Sequence, residues 1–235
     1  MKGKLRYVSL LPVYIPLMAM IVIAALWGSK GVTAILVNAP VSNRKTVVID
    51  AGHGGVDGGA ISCTGKPESL YNLEISLRLN DLFHLLGIHT VMIRTDDSSV
   101  YTQGTTIAQK KVSDLKERVR VVNHQVDAVL VSIHQNQFTD SRLSGAQVFY
   151  AATPGSEILA KQLQSTLKET INPSSRREAK GAKGVYLMQH IQTQGILVEC
   201  GFLSNPLEEA KLRDATYQKK LCSVIVATVS TYLFS

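Results

Sequence analysis

The first 45 residues contain no aspartate and no glutamate. That absence accounts for most of a formal net charge of +7. Lys2, Lys4, Arg6, Lys30, Arg44 and Lys45 carry it, and beyond them bases and acids almost cancel. The rest of the chain therefore lacks the bulk charge that nucleic-acid binding requires, and no nucleic-acid partner is expected. Cysteine is scarce too. Cys63, Cys200 and Cys222 form no C-x-x-C pair and no disulfide framework, so a thiolate metal site is excluded. They read as small buried hydrophobes, with Cys63 open to exposure in a glycine-rich loop. There is no internal repeat. The stretch "TVVIDAGHGGVDGGA", residues 46–60, is rich in glycine but lacks a phosphate-binding signature. Asp57 stands where the third glycine of a dinucleotide loop belongs, and no Gly-Lys-Ser/Thr follows.

What is present begins with Tyr7–Trp27, an uncharged and mostly apolar run behind three basic residues. About 20 such residues span a bilayer, and the basic flank stays cytoplasmic, which puts the remainder outside. A retained anchor is favoured over a cleaved signal, because "VNA" at 37–39 is a poor cleavage site far beyond the run. Pro12 and Pro16 weaken such a helix without excluding it. The expected organisation is a basic flank and transmembrane anchor or uncleaved signal (1–27), a linker (28–45) and one catalytic domain (46–235).

From Thr46 short β-rich runs alternate with amphipathic helical patterns. Strands are expected at Thr46–Asp50, His89–Arg94, Ala128–His134, Ala146–Ala151, Val185–Met188 and Ile196–Glu199. Helices are expected at Glu68–Leu86, Asp114–His124, Ser156–Ile171, Pro206–Arg213 and Tyr217–Leu233. Leu70, Leu73, Leu77, Leu82, Leu85 and Leu86 mark the apolar period of the first helix. Strands such as "VVI" and "GILVE" are apolar on both faces, as when helices cover both sides of a parallel sheet. The expected fold is one α/β domain, with the polar stretches 95–113 and 172–183 as substrate-facing loops.

Sites in such sheets form beyond the carboxyl ends of the strands. His53 follows the first strand, His134 closes "VLVSIH", Glu199 closes "GILVE", and Glu68 opens the first helix. Taken singly, His53 fits a polar cap and Glu68 a helix-terminal carboxylate. Together, His53, Glu68 and His134 supply three ligands of a catalytic zinc site with a fourth position left for water. Glu199, costly at the end of an apolar strand unless partnered, is the base. Asn136 is either a turn residue or a substrate hydrogen-bonder. His190 is a weak substrate-contact candidate. Arg94 with Asp96 and Asp97 fits a rim ion cluster, and Glu117 and Arg118 fit a solvated helix face. Cys200 alternates away from Glu199 and has no base, so it is not a nucleophile.

"VVIDAGHGGVDGGA", "PESLYNLEISLRL", "IRTDD", "LKERVRVVN", "VSIHQN" and "ILVECGFLSNPLEEAKL" occur in one order that resembles the zinc-dependent N-acetylmuramoyl-L-alanine amidases of the amidase-3 type, over about residues 46–233. The resemblance implies a six-stranded sheet, zinc on His53, Glu68 and His134, and Glu199 as the catalytic glutamate. The departures are Ala51 for a usual proline, Gln135 for alanine and Cys200 for a smaller or apolar residue. A short membrane leader on a bare catalytic domain is similar to the spore-cortex amidases of endospore formers. That implies an enzyme outside the cytoplasmic membrane that cleaves the amide between N-acetylmuramic acid and L-alanine during muramic-δ-lactam formation, and hence serves germination. The partners it implies are peptidoglycan strands and stem peptides, with the membrane through residues 1–27, and it leaves room for an activating protein of unknown identity. The alternatives are a non-catalytic binder on the same fold, which would be expected to have lost Glu199 or a ligand, and a zinc peptidase of the stem peptide, which differs in its products.

Overall fold

The computed structural model describes residues 45–235. The expected anchor at Tyr7–Trp27 and nearly all of the expected linker at 28–45 lie outside the described residues. Among the described residues no helix is long and apolar enough to cross a membrane.

Among the described residues six strands and six helices follow one another, mostly in alternation. In chain order they are β1 (Thr46–Ala51), α1 (Glu68–Leu85), β2 (His89–Met92), α2 (Ile107–Asn123), β3 (Ala128–Asn136), β4 (Gln147–Tyr150), α3 (Ser156–Thr170), β5 (Lys180–Gly181), α4 (Tyr186–His190), β6 (Gln194–Phe202), α5 (Pro206–Arg213) and α6 (Ala215–Leu233). The sheet order is β2-β1-β3-β6-β4-β5. β2, β1, β3 and β6 are parallel; β4 runs antiparallel to β6, and β5 parallel to β4. The fold is a single α/β domain with a six-stranded, mostly parallel sheet.

Apolar residues on both faces of the central strands explain the layers. Val47, Ile49, Val131, Ile133, Ile196 and Val198 pack beneath α1, α3 and α6. Val48, Leu130 and Leu197 pack beneath α2 and α4 with Val122, Leu187 and Met188. Val47, Val48 and Ile49 are wholly buried, each contributing about 1.5–3 kcal/mol of transfer free energy. From β1 the chain passes through α1 on one face to β2, then through α2 on the other face to β3. That reversal opens a crevice at the carboxyl ends of β1 and β3, where α/β sheets hold ligands.

Several elements differ from their sequence expectation. Val185–Met188 is not a strand: Lys180–Gly181 takes the edge, and Tyr186–His190 forms a helical turn that buries Leu187 and Met188. α2 begins at Ile107 rather than Asp114. A capping box at Thr106, with Thr106 Oγ1 accepting from Gln109 N and Gln109 Oε1 accepting from Thr106 N, starts a helix inside a polar stretch. Residues 107–113 are therefore helix and not loop. In α1 the buried stripe is Tyr71, Ile75, Leu79 and Phe83, whereas Leu85 and Leu86 are exposed. α5 matches its expected bounds, with Asn205 Oδ1 accepting from Leu207 N and Glu208 N ahead of Pro206.

Candidate active site

β1 delivers the chain to His53 through Gly52. His53 sits in the left-handed region, φ 61°, a conformation that costs a non-glycine residue about 1–2 kcal/mol. Two sets of bonds hold it there. Gly54 and Asp57 exchange main-chain hydrogen bonds of 2.8 and 3.1 Å, and Arg118 Nη2 donates to the His53 carbonyl at 2.7 Å. Two glycines make room for the side chains that gather here. A Cβ on Gly52 would strike the His134 imidazole, and one on Gly59, φ 70°, would lie 2.6 Å from Glu68 Oε2 and 2.8 Å from His53 Cδ2.

Glu68 lies between the two histidines. Its Oε2 is 3.3 Å from His53 Nε2, and its Oε1 is 3.1 Å from His134 Nδ1. The imidazoles meet edge to face, with centroids 5.0 Å apart. Glu68 is almost wholly buried. Its Oε1 also accepts from Asn72 Nδ2 (3.1 Å) and Gln135 N (3.1 Å), and its Oε2 from Ala60 N (3.0 Å). Burial alone would raise its pKa, but His134, His53 and the Ala60 N–H bring it down to about 2. The carboxylate is thus anionic at any working pH. Burial works against a charged His134, yet Glu68, Glu199 and Asp50 hold its imidazole above the ordinary histidine range.

His53, Glu68 and His134 each offer a ligand atom within 4.8 Å of the others. Two imidazole nitrogens and one carboxylate match the donor set of an open zinc site. His53 Nδ1 lies 3.0 Å from Asp57 Oδ2, the carboxylate–imidazole contact that commonly fixes a metal-binding histidine.

Glu199 is the register partner of His134 across β3 and β6, outside that three-residue group. Its Oε2 is buried without a hydrogen-bond partner among the described residues. Burial, opposed by His134 and reinforced by Glu68, raises its pKa to about 7. The cluster and Glu199 occupy one rim, the carboxyl ends of β1, β3 and β6.

Other sequence expectations fare differently. The register between β3 and β6 shifts between His134 and Asn136, so strict alternation does not carry Asn136 to the His134 side. It is half-buried, and its carbonyl accepts from Leu203 N. His190 stacks on Tyr186 at 3.9 Å and its carbonyl accepts from Asn123, at the amino-terminal edge of the sheet, opposite the cluster. Arg94 does pair with Asp97, at 3.9 Å, but its buried guanidinium mainly donates to the carbonyls of Ala51, Gly52, Ser69 and Asp96. Arg118 does not face solvent either. It is 2 % exposed and binds Asp50, Asp114 and the carbonyls of Ala51 and His53. Burial opposes ionisation of Asp50, but Arg118, His134 and Ser132 outweigh it and lower its pKa. Cys200 is buried on the opposite side of β6, within the main core.

Asp57, Asn72, Gln135 and Arg118 support the site and were not singled out for it by sequence. Only Asn72 had a local signal, lying one helical turn after Glu68. A larger groove, about 930 Å³, lies along residues 102–105 and the outer side of α2, and no cluster residue lines it.

A family profile described as N-acetylmuramoyl-L-alanine amidase matches residues 47–231. The germination-specific N-acetylmuramoyl-L-alanine amidase of Bacillus subtilis is 37% identical over 80% of this chain and 79% of its own. The CwlD amidase from Clostridioides difficile, solved in complex with the GerS lipoprotein, superposes with TM-score 0.77 at 37% identity, over 81% of this chain and 98% of that one. An N-acetylmuramoyl-L-alanine amidase from Clostridium difficile 630 gives 0.71 at 35% identity, over 83% and 99%.

Proposed function

The chain belongs to the N-acetylmuramoyl-L-alanine amidase family, and from that premise we propose that His53, Glu68 and His134 hold a zinc ion and that Glu199 is the general base. The enzyme cleaves the amide between N-acetylmuramic acid and L-alanine in peptidoglycan. When bound, zinc supplies a Lewis acid for the amide carbonyl and lowers the pKa of water from about 15.7 toward 7. The protein's own residues do the remainder. Asp57 orients the His53 ring through Nδ1. Asn72 Nδ2 and the Gln135 N–H donate to Glu68 Oε1 and fix its orientation. Glu199 takes the proton of the attacking water and passes it to the amine of L-alanine as the C–N bond breaks. The carrying observation is the Glu199 carboxylate itself, on a half-buried residue whose Oε2 is enclosed and unpartnered beside the His–Glu–His group, with a pKa near neutrality, where a base works best.

Glu199→Gln keeps the shape and cannot accept the proton. It is expected to fold, retain zinc and lose on the order of 10²–10⁴ in rate. His53→Ala and His134→Ala are expected to lower zinc content sharply. Full activity in the first variant, or full zinc in both of the others, would refute the assignment.

The finer biology is inferred likewise. The 37% identity to a germination-specific relative supports a role in spore cortex, and the uncharged run Tyr7–Trp27 supports a domain tethered outside the cytoplasmic membrane by residues 1–27 through the linker 28–45. The neighbour solved with the GerS lipoprotein supports a protein partner of that kind. A null mutant is expected to form cortex without muramic-δ-lactam; normal lactam content would exclude the cortex role.

A further inference from the structure

β6 divides the rim. On the His53 side every cation near the cluster is engaged. Lys111 pairs with Asp57 at 3.0 Å, and Arg94 and Arg118 are buried in the contacts described above. On the other side lies a groove of about 470 Å³ bordered by Arg142, Gln147, Arg176, Arg177, Glu178 and Lys180. Its acid is turned away, since Glu178 pairs with Lys168 at 2.6 Å. Arg142 is held by Asp140 at 2.9 Å. Among the described residues Arg176, Arg177 and Lys180 have no salt-bridge partner.

This groove is joined to the catalytic rim by a single side chain. Gln147 is the antiparallel register partner of Glu199, and directly opposed residues share a face with Cβ atoms about 4.5–5.5 Å apart. Gln147 is 4 % exposed, and its two polar atoms are committed. Nε2 donates to the Glu178 carbonyl at 2.8 Å, and Oε1 accepts from Arg177 Nη1 at 2.8 Å. Arg177 Nε donates to the Ser144 carbonyl at 2.9 Å, and its guanidinium lies 4.6 Å from the Phe202 ring. The guanidinium is therefore pinned by two hydrogen bonds and an aromatic face, while Nη2 has no partner among the described residues. A fixed fork with one free edge is the arrangement that reads carboxylates.

The geometry points to a carboxylate subsite, with Arg177 at its base and Arg176 and Lys180 at its lip, that takes the free α-carboxylate of the stem-peptide residue following L-alanine. It rests on the scissile amide lying beside Glu199, as argued above. That carboxylate is one residue from the scissile nitrogen, a reach of about 4–7 Å at 3.8 Å per residue. Gln147 opposes Glu199 across the sheet and accepts from Arg177, so the guanidinium lies on the β4 side of Glu199. The glycan side of the substrate carries no comparable charge, so the one-sided cations also set the direction in which the substrate lies.

The test uses full-length zinc-loaded protein in detergent and two muramoyl-peptides that differ only in the second residue, D-glutamate with a free α-carboxylate or its amide, D-isoglutamine. The free acid is expected to show kcat/KM about tenfold or more above the amide, carried mainly by KM. Arg177→Gln, and separately Arg176→Ser with Lys180→Ser on the exposed lip, are expected to bring that ratio toward one. Should Arg177→Gln misfold, the lip variant still decides. Calorimetric titration with the dipeptides L-Ala-γ-D-Glu and L-Ala-D-isoglutamine needs no turnover, so a failed metal assignment and a failed subsite give different results. Equal kcat/KM and equal dipeptide affinity in the wild type, or an unchanged preference in both variants, would overturn the subsite.

Discussion

At the scale of the residue, Glu199 and Arg118 are two solutions to burying charge. Arg118 is compensated, with two carboxylates and two carbonyls around its guanidinium. Removing one partner of such a buried set costs about 3–5 kcal/mol, because the other charge is left unpaired. Glu199 is left partly uncompensated, which suits a base that must change protonation state. The cost has a definite pH dependence. Its folded pKa is raised to about 7 from an ordinary 4.5, so the unfolded chain ionises first as pH rises. Its contribution to stability is full below about 4.5 and is lost as pH climbs through 7. In metal-free protein, Glu199→Gln is therefore expected to gain stability relative to wild type between about pH 4.5 and 7.5, read by urea unfolding at several pH values. A constant difference across that range would show that Glu199 is not desolvated.

At the scale of the element, α1 shows what periodicity conveys and omits. The sequence offers two neighbouring apolar stripes, and the leucines are more frequent on one of them. The protein buries the other, Tyr71, Ile75, Leu79 and Phe83, all at 0 % exposure. Glu68, Asn72 and Ser76 form the adjacent i, i+4 line, each three residues ahead of Tyr71, Ile75 and Leu79 on the same face, and all three are buried. The face that builds the core thus also aims Glu68 at the histidines. Phe83→Ala is expected to cost about 3–5 kcal/mol, whereas Leu85→Ala, with Leu85 80 % exposed, should stay within about 0.5 kcal/mol. Denaturant midpoints for the two variants would distinguish the stripes, and equal losses would contradict the burial pattern. A capping box at Thr106 likewise overrides the polar look of residues 107–113 by supplying both halves of a helix start.

At the scale of the molecule, the ligands come from three separated segments, one after β1, one opening α1 and one closing β3. Metal bound only by the folded arrangement adds RT ln(1 + [L]/Kd), about 4 kcal/mol at a thousandfold excess over Kd. Chelation is expected to lower the melting temperature by roughly 8–16 °C, given a shift of about 2–4 °C per kcal/mol for a domain of this size. His53→Ala should melt at the same temperature with and without chelator. An unchanged melting curve for chelated wild type would mean that these three residues hold no ion.

The alternation of apolar runs and amphipathic segments determined the α/β class by itself, because burial on both faces needs no long-range information. The same logic brought His53, Glu68, His134 and Glu199 to strand ends and a helix start, since chemistry in such sheets gathers at their carboxyl edge. What only the tertiary structure decided were contacts between distant segments. Arg118, in "LKERVRVVN", resembles any exposed helix residue until Asp50, 68 positions away, is brought beneath it. Arg94 finds its main-chain acceptors only once β1 and α1 have closed around it. Asn136 depended on a register shift beside His134, which no local pattern encodes. The edge strand Lys180–Gly181 was illegible because two residues carry no period, and it exists only because β4 offers it an edge.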